Sequence, residues 1–323
     1  MGGMMMKRGL FLGVAGIALG LMAATGAQAQ FGGLGRIVNA VAREVPVPDF
    51  LSGPQPVSTS IRDAIYADPT RDSFAPGEGR PLTDLPRDEY GGFVLAPGYY
   101  TMVAQTYCLH AGTHGPGGGD GYLYAPVKGS AEDAIISILQ NSVDRPDIAQ
   151  RDIQLLLWAI IARARFENLD NRLKLVAAQL LTQRQLASLN RNALDVLNSR
   201  ELSSLIGDLP APLRAIAQAE SQLRSMLTST GSSYDDFEAV ALLAGAVPLG
   251  EGSVDVPAIR WSQHPDGYWV RYRPNGYTNS LVEIFVEEGS EAVGKVYDPG
   301  KSVAVPGNTS RQRIAQSGRV YSS

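Results

Sequence analysis

Cysteine is what this chain has least of: Cys108 is the only one in 323 residues, so no disulfide can form within the chain. In an exported protein a lone thiol is a bridge to a partner, a reactive group or a small buried hydrophobe, and the last is the commonest fate. Histidine is scarce too, with only His110, His114 and His264, which leaves few groups that titrate near neutral pH. Basic residues are not in excess: 28 Lys and Arg stand against 32 Asp and Glu, for a formal net charge of −4. Nucleic acid and anionic membrane surfaces are therefore not expected as partners. Catalytic signatures are missing as well, since no G-x-S-x-G, H-E-x-x-H or paired-cysteine zinc spacing occurs. Gly117, Gly118 and Gly119 lack the Lys-Ser or Lys-Thr that a phosphate loop needs, and no cofactor is expected. Beyond the amino terminus no apolar run is long enough to span a bilayer, so a transmembrane anchor is not expected.

What the chain does have begins with an export signal. Lys7 and Arg8 supply a positive region, Leu10 to Met22 an apolar one, and Ala27-Gln28-Ala29 a cleavage site, so residues 1–29 read as a signal peptide. Gln30 follows the cut, which leaves no cysteine there for lipidation. A secreted, periplasmic or cell-surface location is expected. With 44% hydrophobic residues the chain can bury one large core or two modest ones.

The stretch Asp147 to Phe166 is apolar on nearly every helical face from Ile153 to Ala162, as befits a helix at the centre of a domain. Asp147 and Gln150 have the spacing of a capping box. Gln154 is the odd residue, a primary amide set among leucines and Trp158, where it must find partners or be costly to bury. In chain order, residues 30–91 read as an irregular approach segment, rich in Pro, Gly, Ser and Asp, with a short helix near Ser60 to Tyr66. From Gly98 the chain alternates as a strand, with Tyr100, Met102, Ala104, Thr106 and Cys108 on one face. A glycine-dense stretch from His110 to Pro126 reads as a long surface loop over that strand.

Helical spacing then runs from Ala131 through Ala244: Ile135, Ile138 and Leu139; Leu173, Val176 and Leu180; Leu186 and Leu189; Leu194 and Leu197; Leu213, Ile216, Leu223 and Leu227. Ser233 with Asp236 has the form of a helix cap. Past Ala258 the period changes to that of strands, with Tyr268, Val270 and Tyr272 alternating against Trp269, Arg271 and Arg273 between two turn signals. Residues 310–323 are polar enough to fray. The expected fold is α+β: a Cys-bearing strand region packed on a central buried helix, a helical subdomain within 92–250, and a small antiparallel β module over 251–323.

Three chemistries suit these residues. In the first, the Cys108 thiol attacks the Gln154 side-chain amide and expels ammonia, leaving an internal thioester, which requires a fold that holds sulfur against carbonyl and excludes water. In the second, Cys108 is the nucleophile of a secreted hydrolase, with His110 on the same face of an extended strand, or His114 or His264, as base and Asp120 orienting the imidazole. In the third, Cys108, His110 and His114, with Asp120, hold a metal ion. His264, before Pro265-Asp266-Gly267, reads most simply as a turn residue.

Around the first pair the sequence resembles the bacterial thioester domains found at the tips of surface adhesins. Tyr107-Cys108-Leu109 is similar to that family's aromatic-Cys-aliphatic motif. The run Ile153 to Trp158 keeps the Gln and Trp of its T-Q-x-A-aliphatic-W helix, with Ile153 in place of Thr and Leu156 in place of Ala. Ile138-Leu139-Gln140-Asn141 is similar to the segment ahead of that helix. The resemblance covers Tyr99 to Ala162. It implies that Cys108 and Gln154 are the cross-linking pair, that Trp158 is part of their apolar cover, and that the partner is a cell-surface protein or glycan bearing an amine or hydroxyl.

Overall fold

The computed structural model describes residues 53–64, 66–117, 119–207 and 209–322. The signal peptide expected over 1–29, and the approach segment as far as residue 52, lie outside the described residues. The rest of that segment is made of short pieces: a 3-10 turn at Ile61–Asp63, then β1 (Ala67–Asp68) and β2 (Arg80–Pro81). The helix expected near Ser60 to Tyr66 is this single turn, opened by a reciprocal box in which Asp63 accepts from the Ser60 amide at 2.8 Å.

Next come β3 (Phe93–Val94), β4 (Gly98–Cys108), β5 (Thr113–His114) and β6 (Tyr122–Pro126). The helical layer is α1 (Glu132–Asn141), α2 (Gln150–Ile161), α3 (Asn171–Leu180), α4 (Gln183–Arg191), α5 (Ser199–Ile206), α6 (Ala211–Leu227) and α7 (Tyr234–Ala241). The chain finishes with β7 (Leu242–Leu243), β8 (Trp261–Gln263), β9 (Trp269–Asn275), β10 (Asn279–Val286), β11 (Val296–Tyr297), β12 (Ser302–Pro306) and β13 (Ile314–Val320). The fold is α+β, with an antiparallel sheet carrying a layer of helices.

The sheet runs β1-β8-β9-β10-β4-β13-β12-β6, and β6 returns to β9 through Tyr122 and Tyr272. Six strands thereby close on one another, which leaves them no free edge. β4 is the longest strand. It pairs with β10 from Gly98 to Gln105 and with β13 from Ala104 to Cys108, so strands from 92–250 and from 251–323 share one ladder. Its predicted inward face, Tyr100 through Cys108, is buried at every second residue. The other face begins wet at Val103 and ends buried at Gln105 and Tyr107.

Most of the carboxy-terminal stretch expected to fray is instead a strand of the sheet. β13 lies beside β4, with Ile314 and Ala315 buried together with Gln316 and Ser317. The polar side chains are spent on backbone: Gln316 Nε2 donates to the Ile314 carbonyl at 2.7 Å. A register shift between Gln316 and Val320 bends the strand, and beyond it Tyr321 N–H reaches the Val103 carbonyl at 2.9 Å.

α2 is the buried helix that the apolar run predicts. Every residue from Ile153 to Ile161 is buried, and the helix packs against β4, α3, α6 and α7. Its start differs from the expected box, because Ala149 is the N-cap. The Asp147 carboxylate is held in the fork of Arg145 at 2.8 and 3.0 Å, and the Gln150 amide reaches away from the helix. Leu194 and Leu197 lie outside any helix; the Leu194 N–H instead bonds the Arg163 carbonyl at 2.9 Å. The box at Ser233 and Asp236 opens α7 as its spacing predicts.

The glycine-rich stretch is not a surface loop throughout. His110 to His114 is buried, β5 pairs in parallel with β7, and Tyr122–Pro126 is the strand that closes the sheet. Gly112 shows why glycine is needed: at φ +67° a Cβ would sit 2.6 Å from the Ala215 carbonyl oxygen of α6.

Among the described residues no helix is long and apolar enough to cross a membrane.

Candidate functional site

Alternate residues of β4 turn their backbone groups toward β10. The Thr106 N–H takes the Thr278 carbonyl at 2.9 Å, but the β10 ladder has ended at Gln105. Cys108, the next residue pointing that way, would be left with an unpaired N–H and C=O inside the protein, an expensive arrangement. α2 supplies the missing partner. The Cys108 N–H donates to Gln154 Oε1 at 2.8 Å, and Gln154 Nε2 donates back to the Cys108 carbonyl at 3.1 Å. One helical turn earlier, Gln150 Nε2 donates to the carbonyls of Thr106 at 3.1 Å and Thr278 at 2.6 Å. Two glutamines on one face of α2 thus continue the ladder where β10 leaves it.

This pairing sets the geometry for chemistry. Gln154 is 1% exposed and Cys108 is fully buried. The Gln154 amide is tied at both ends to the backbone of Cys108, the residue that carries the sulfur for addition to its carbonyl. The Cys108 N–H already polarises the carbonyl and is aimed at the oxygen that would gain charge in such an addition.

Gln154 also forms part of the wall of a pocket of about 300 Å³, together with Thr106, Gln150, Tyr234, Glu238 and Tyr277. The Tyr234 and Tyr277 hydroxyls bond each other at 3.0 Å, and Trp158 packs over both rings, with centroids 5.7 and 6.5 Å away. Burial pushes the Cys108 thiol well above its usual range, and the charge of Glu238 adds to the rise. Burial likewise raises both tyrosines. Cys108 is therefore a neutral, fully buried thiol, not a standing thiolate.

The histidines lie otherwise. β4 stops at Cys108, so His110 does not continue its face as a strand residue. His110 is buried, its Nδ1 has no hydrogen-bond partner, and burial with the nearby Arg313 charge holds it well below the usual histidine range. His114 Nδ1 bonds the Leu243 carbonyl at 3.0 Å. His264 stacks on Tyr268 at 4.3 Å, and burial lowers it to about 4. Among the described residues no hydrogen bond joins any histidine to the Cys108 thiol.

The expected metal ligands are not assembled either. Asp120 is taken by Arg311 at 2.5 Å and by the Gly117 N–H at 2.8 Å, and no group of His, Cys, Asp or Glu suited to a metal occurs among the described residues.

Sequence reasoning finds Cys108, Gln154 and Trp158 but misses Gln150, Tyr234, Glu238 and Tyr277. A readable signal exists for one of them, since Gln150 and Gln154 share a helix face as Tyr234 and Glu238 do. Nothing local marks Tyr277, which reaches the pocket from the turn between β9 and β10. Comparison of the chain with known protein families, curated proteins and solved structures finds no match.

Proposed function

We propose that this is an exported binding protein of adhesion type, which captures a surface partner covalently through a thioester between Cys108 Sγ and Gln154 Cδ. The observation that carries this reading is the two-point hydrogen bonding of the Gln154 amide to the backbone of Cys108. Within a buried site it holds the electrophilic carbon beside the residue that bears the sulfur, and proximity of this kind converts a sluggish reaction into a facile one. Sulfur bonds to Cδ, the Cδ–N bond breaks, and the thiol proton leaves with the amide nitrogen as ammonia. A partner's amine or hydroxyl then adds to Cδ and releases the Cys108 thiol, so each molecule captures one partner. Opposing the rival reading, a hydrolase that uses Cys108 with a histidine, are the raised thiol and the absence of a histidine bonded to it.

Intact mass of the mature protein tests the proposal. The cross-linked chain should weigh about 17 Da less than its sequence, the mass of one ammonia lost in acyl transfer, and methylamine should restore that mass and add its own. Cys108→Ala should abolish both effects. A full-length mass in fresh, amine-free protein rules the thioester out, and repeated turnover of a substrate would favour the hydrolase. Export is checked on the same sample, whose amino terminus should be Gln30.

A further inference from the structure

The chemistry just described requires a group to receive the thiol proton, and among the described residues no histidine is hydrogen-bonded to that thiol. We propose, resting on the thioester reading, that Glu238 is the proton acceptor for Cys108, taking the thiol proton as sulfur adds to Gln154 and returning it to the departing nitrogen. Two helices bring this about. α2 presents Gln150 and Gln154, one turn apart, to the pocket, and α7 presents Tyr234 and Glu238, also one turn apart, to the same pocket. Among the described residues, Glu238 is the only carboxylate in that wall. The titratable and charged groups around it are Tyr234 on its own helix, Arg151 of α2, Tyr277 from the β9–β10 turn, Cys108 of β4 and Tyr321 after β13. Arg151 is engaged over the Tyr234 ring at 4.8 Å. Tyr234 and Tyr277 are held protonated by burial, so neither of these two accepts a proton.

The step balances without any other reactant. The Sγ–H proton passes to the Glu238 carboxylate, the sulfur electron pair forms the Sγ–Cδ bond, and negative charge moves to Oε1, where the Cys108 N–H holds it. The Cδ–Nε2 bond then breaks as the Glu238 carboxyl protonates the leaving nitrogen. Capture of an amine runs the same path in reverse: Glu238 takes a proton from the attacking nitrogen and gives it to the departing Cys108 sulfur. The Tyr234–Tyr277 pair has the place of a positioning element, because the two bonded hydroxyls stand in the same pocket wall as Glu238.

Intact mass at intervals after cell-free synthesis tests the inference in the full chain. In Glu238→Gln, which keeps the shape of the side chain, mass loss should be about a hundredfold slower, the lower range for removing a general base. Glu238→Asp should recover much of the rate. Loss of mass at the wild-type rate in Glu238→Gln overturns the assignment, whereas absence of mass loss in wild type overturns the thioester itself.

Discussion

The two ends of α2 solve the same problem with opposite means. At the amino-terminal end, stray backbone groups of β4 are met by two neutral amides, Gln150 and Gln154. At the carboxy-terminal end, the Ala162 carbonyl is met by a charge, since Arg224 Nε donates to it at 2.7 Å and Arg224 Nη1 reaches the Asp195 carbonyl at 3.2 Å. Arg163 closes the helix in the left-handed region, φ 53°, with Ala164 N–H returning to the Ala159 carbonyl at 2.8 Å. Glycine usually holds that position; here the Arg163 side chain contributes by donating to Gln55 at 3.0 Å. Glu220 is buried beside both arginines. Charges bring strong caps but must be buried in balance. Amides satisfy the backbone without bringing a charge of their own.

The largest effect is expected at the ionic end. Arg224→Met removes the bonds to the Ala162 and Asp195 carbonyls and one of the two cations whose charge acts on buried Glu220, a loss of about 3–5 kcal/mol, the scale of leaving a buried charge uncompensated. Urea unfolding at pH 8 should show it, with the cross-link mass unchanged in whatever protein folds. A loss below about 1 kcal/mol would mean that the two ends do not differ in kind.

At the amide end, Gln154→Leu leaves the Cys108 N–H and C=O without partners inside the protein. The expected cost is about 2–4 kcal/mol, the scale for two buried groups left unpaired. Cys108→Ala keeps the amide pairing intact and should cost clearly less, although both substitutions abolish the mass deficit. Equal costs for the two would show that the pairing contributes little to stability.

This contrast between the two ends is only partly legible in the sequence. The buried faces of β4 and α2 are written in local periodicity, and the box at Ser233 and Asp236 is a four-residue signal; all three appear in the structure as read. Cys108 and Gln154 stand out because one is a lone thiol and the other a lone amide in an apolar run. What periodicity cannot convey is partnership across distance. β13 reads as a polar tail because Gln316 and Ser317 look solvent-facing until β4 lies beside them. The burial of His114 depends on β7 and on the Ser310 carbonyl, far along the chain. Asp147 and Gln150 mimic a cap since spacing records which residues could meet, and Arg145 and two strand carbonyls compete for them more strongly.

Titration sharpens the comparison further. Burial raises Glu220 from 4.5 to about 7, against the lowering effect of Arg163 and Arg224. A group raised in the folded state contributes stability that is fully present below its unfolded value and is lost as pH rises through the folded one. Between about pH 4.5 and pH 8 this single group should take away about 1–3 kcal/mol. Glu220→Gln should flatten that part of the pH-stability curve, measured by urea unfolding from pH 4.5 to 8. A slope identical to wild type would mean that Glu220 ionises in the folded protein as it does in water. The amide end contains no comparable contribution from Gln150 or Gln154, which do not titrate.

The smallest effect separates the two glutamines from each other. Gln150 is half-buried and its carbonyl partners, those of Thr106 and Thr278, belong to residues that border the pocket. Water can reach those oxygens when the side chain is gone, and a solvated carbonyl loses little. Gln150→Ala should therefore cost about 0.5–1.5 kcal/mol, the net worth of an ordinary hydrogen bond, and the mass deficit should persist because Gln154 and Cys108 remain paired. The thermal midpoint and the intact mass of one sample give both answers. If Gln150→Ala destabilised as much as Gln154→Leu, the ladder role would be shared equally and Gln154 would have no special standing as a structural partner. If it abolished the mass deficit while leaving stability intact, Gln150 would belong to the chemistry, as the group that keeps Thr106 and the pocket wall in register with the Cys108–Gln154 pair.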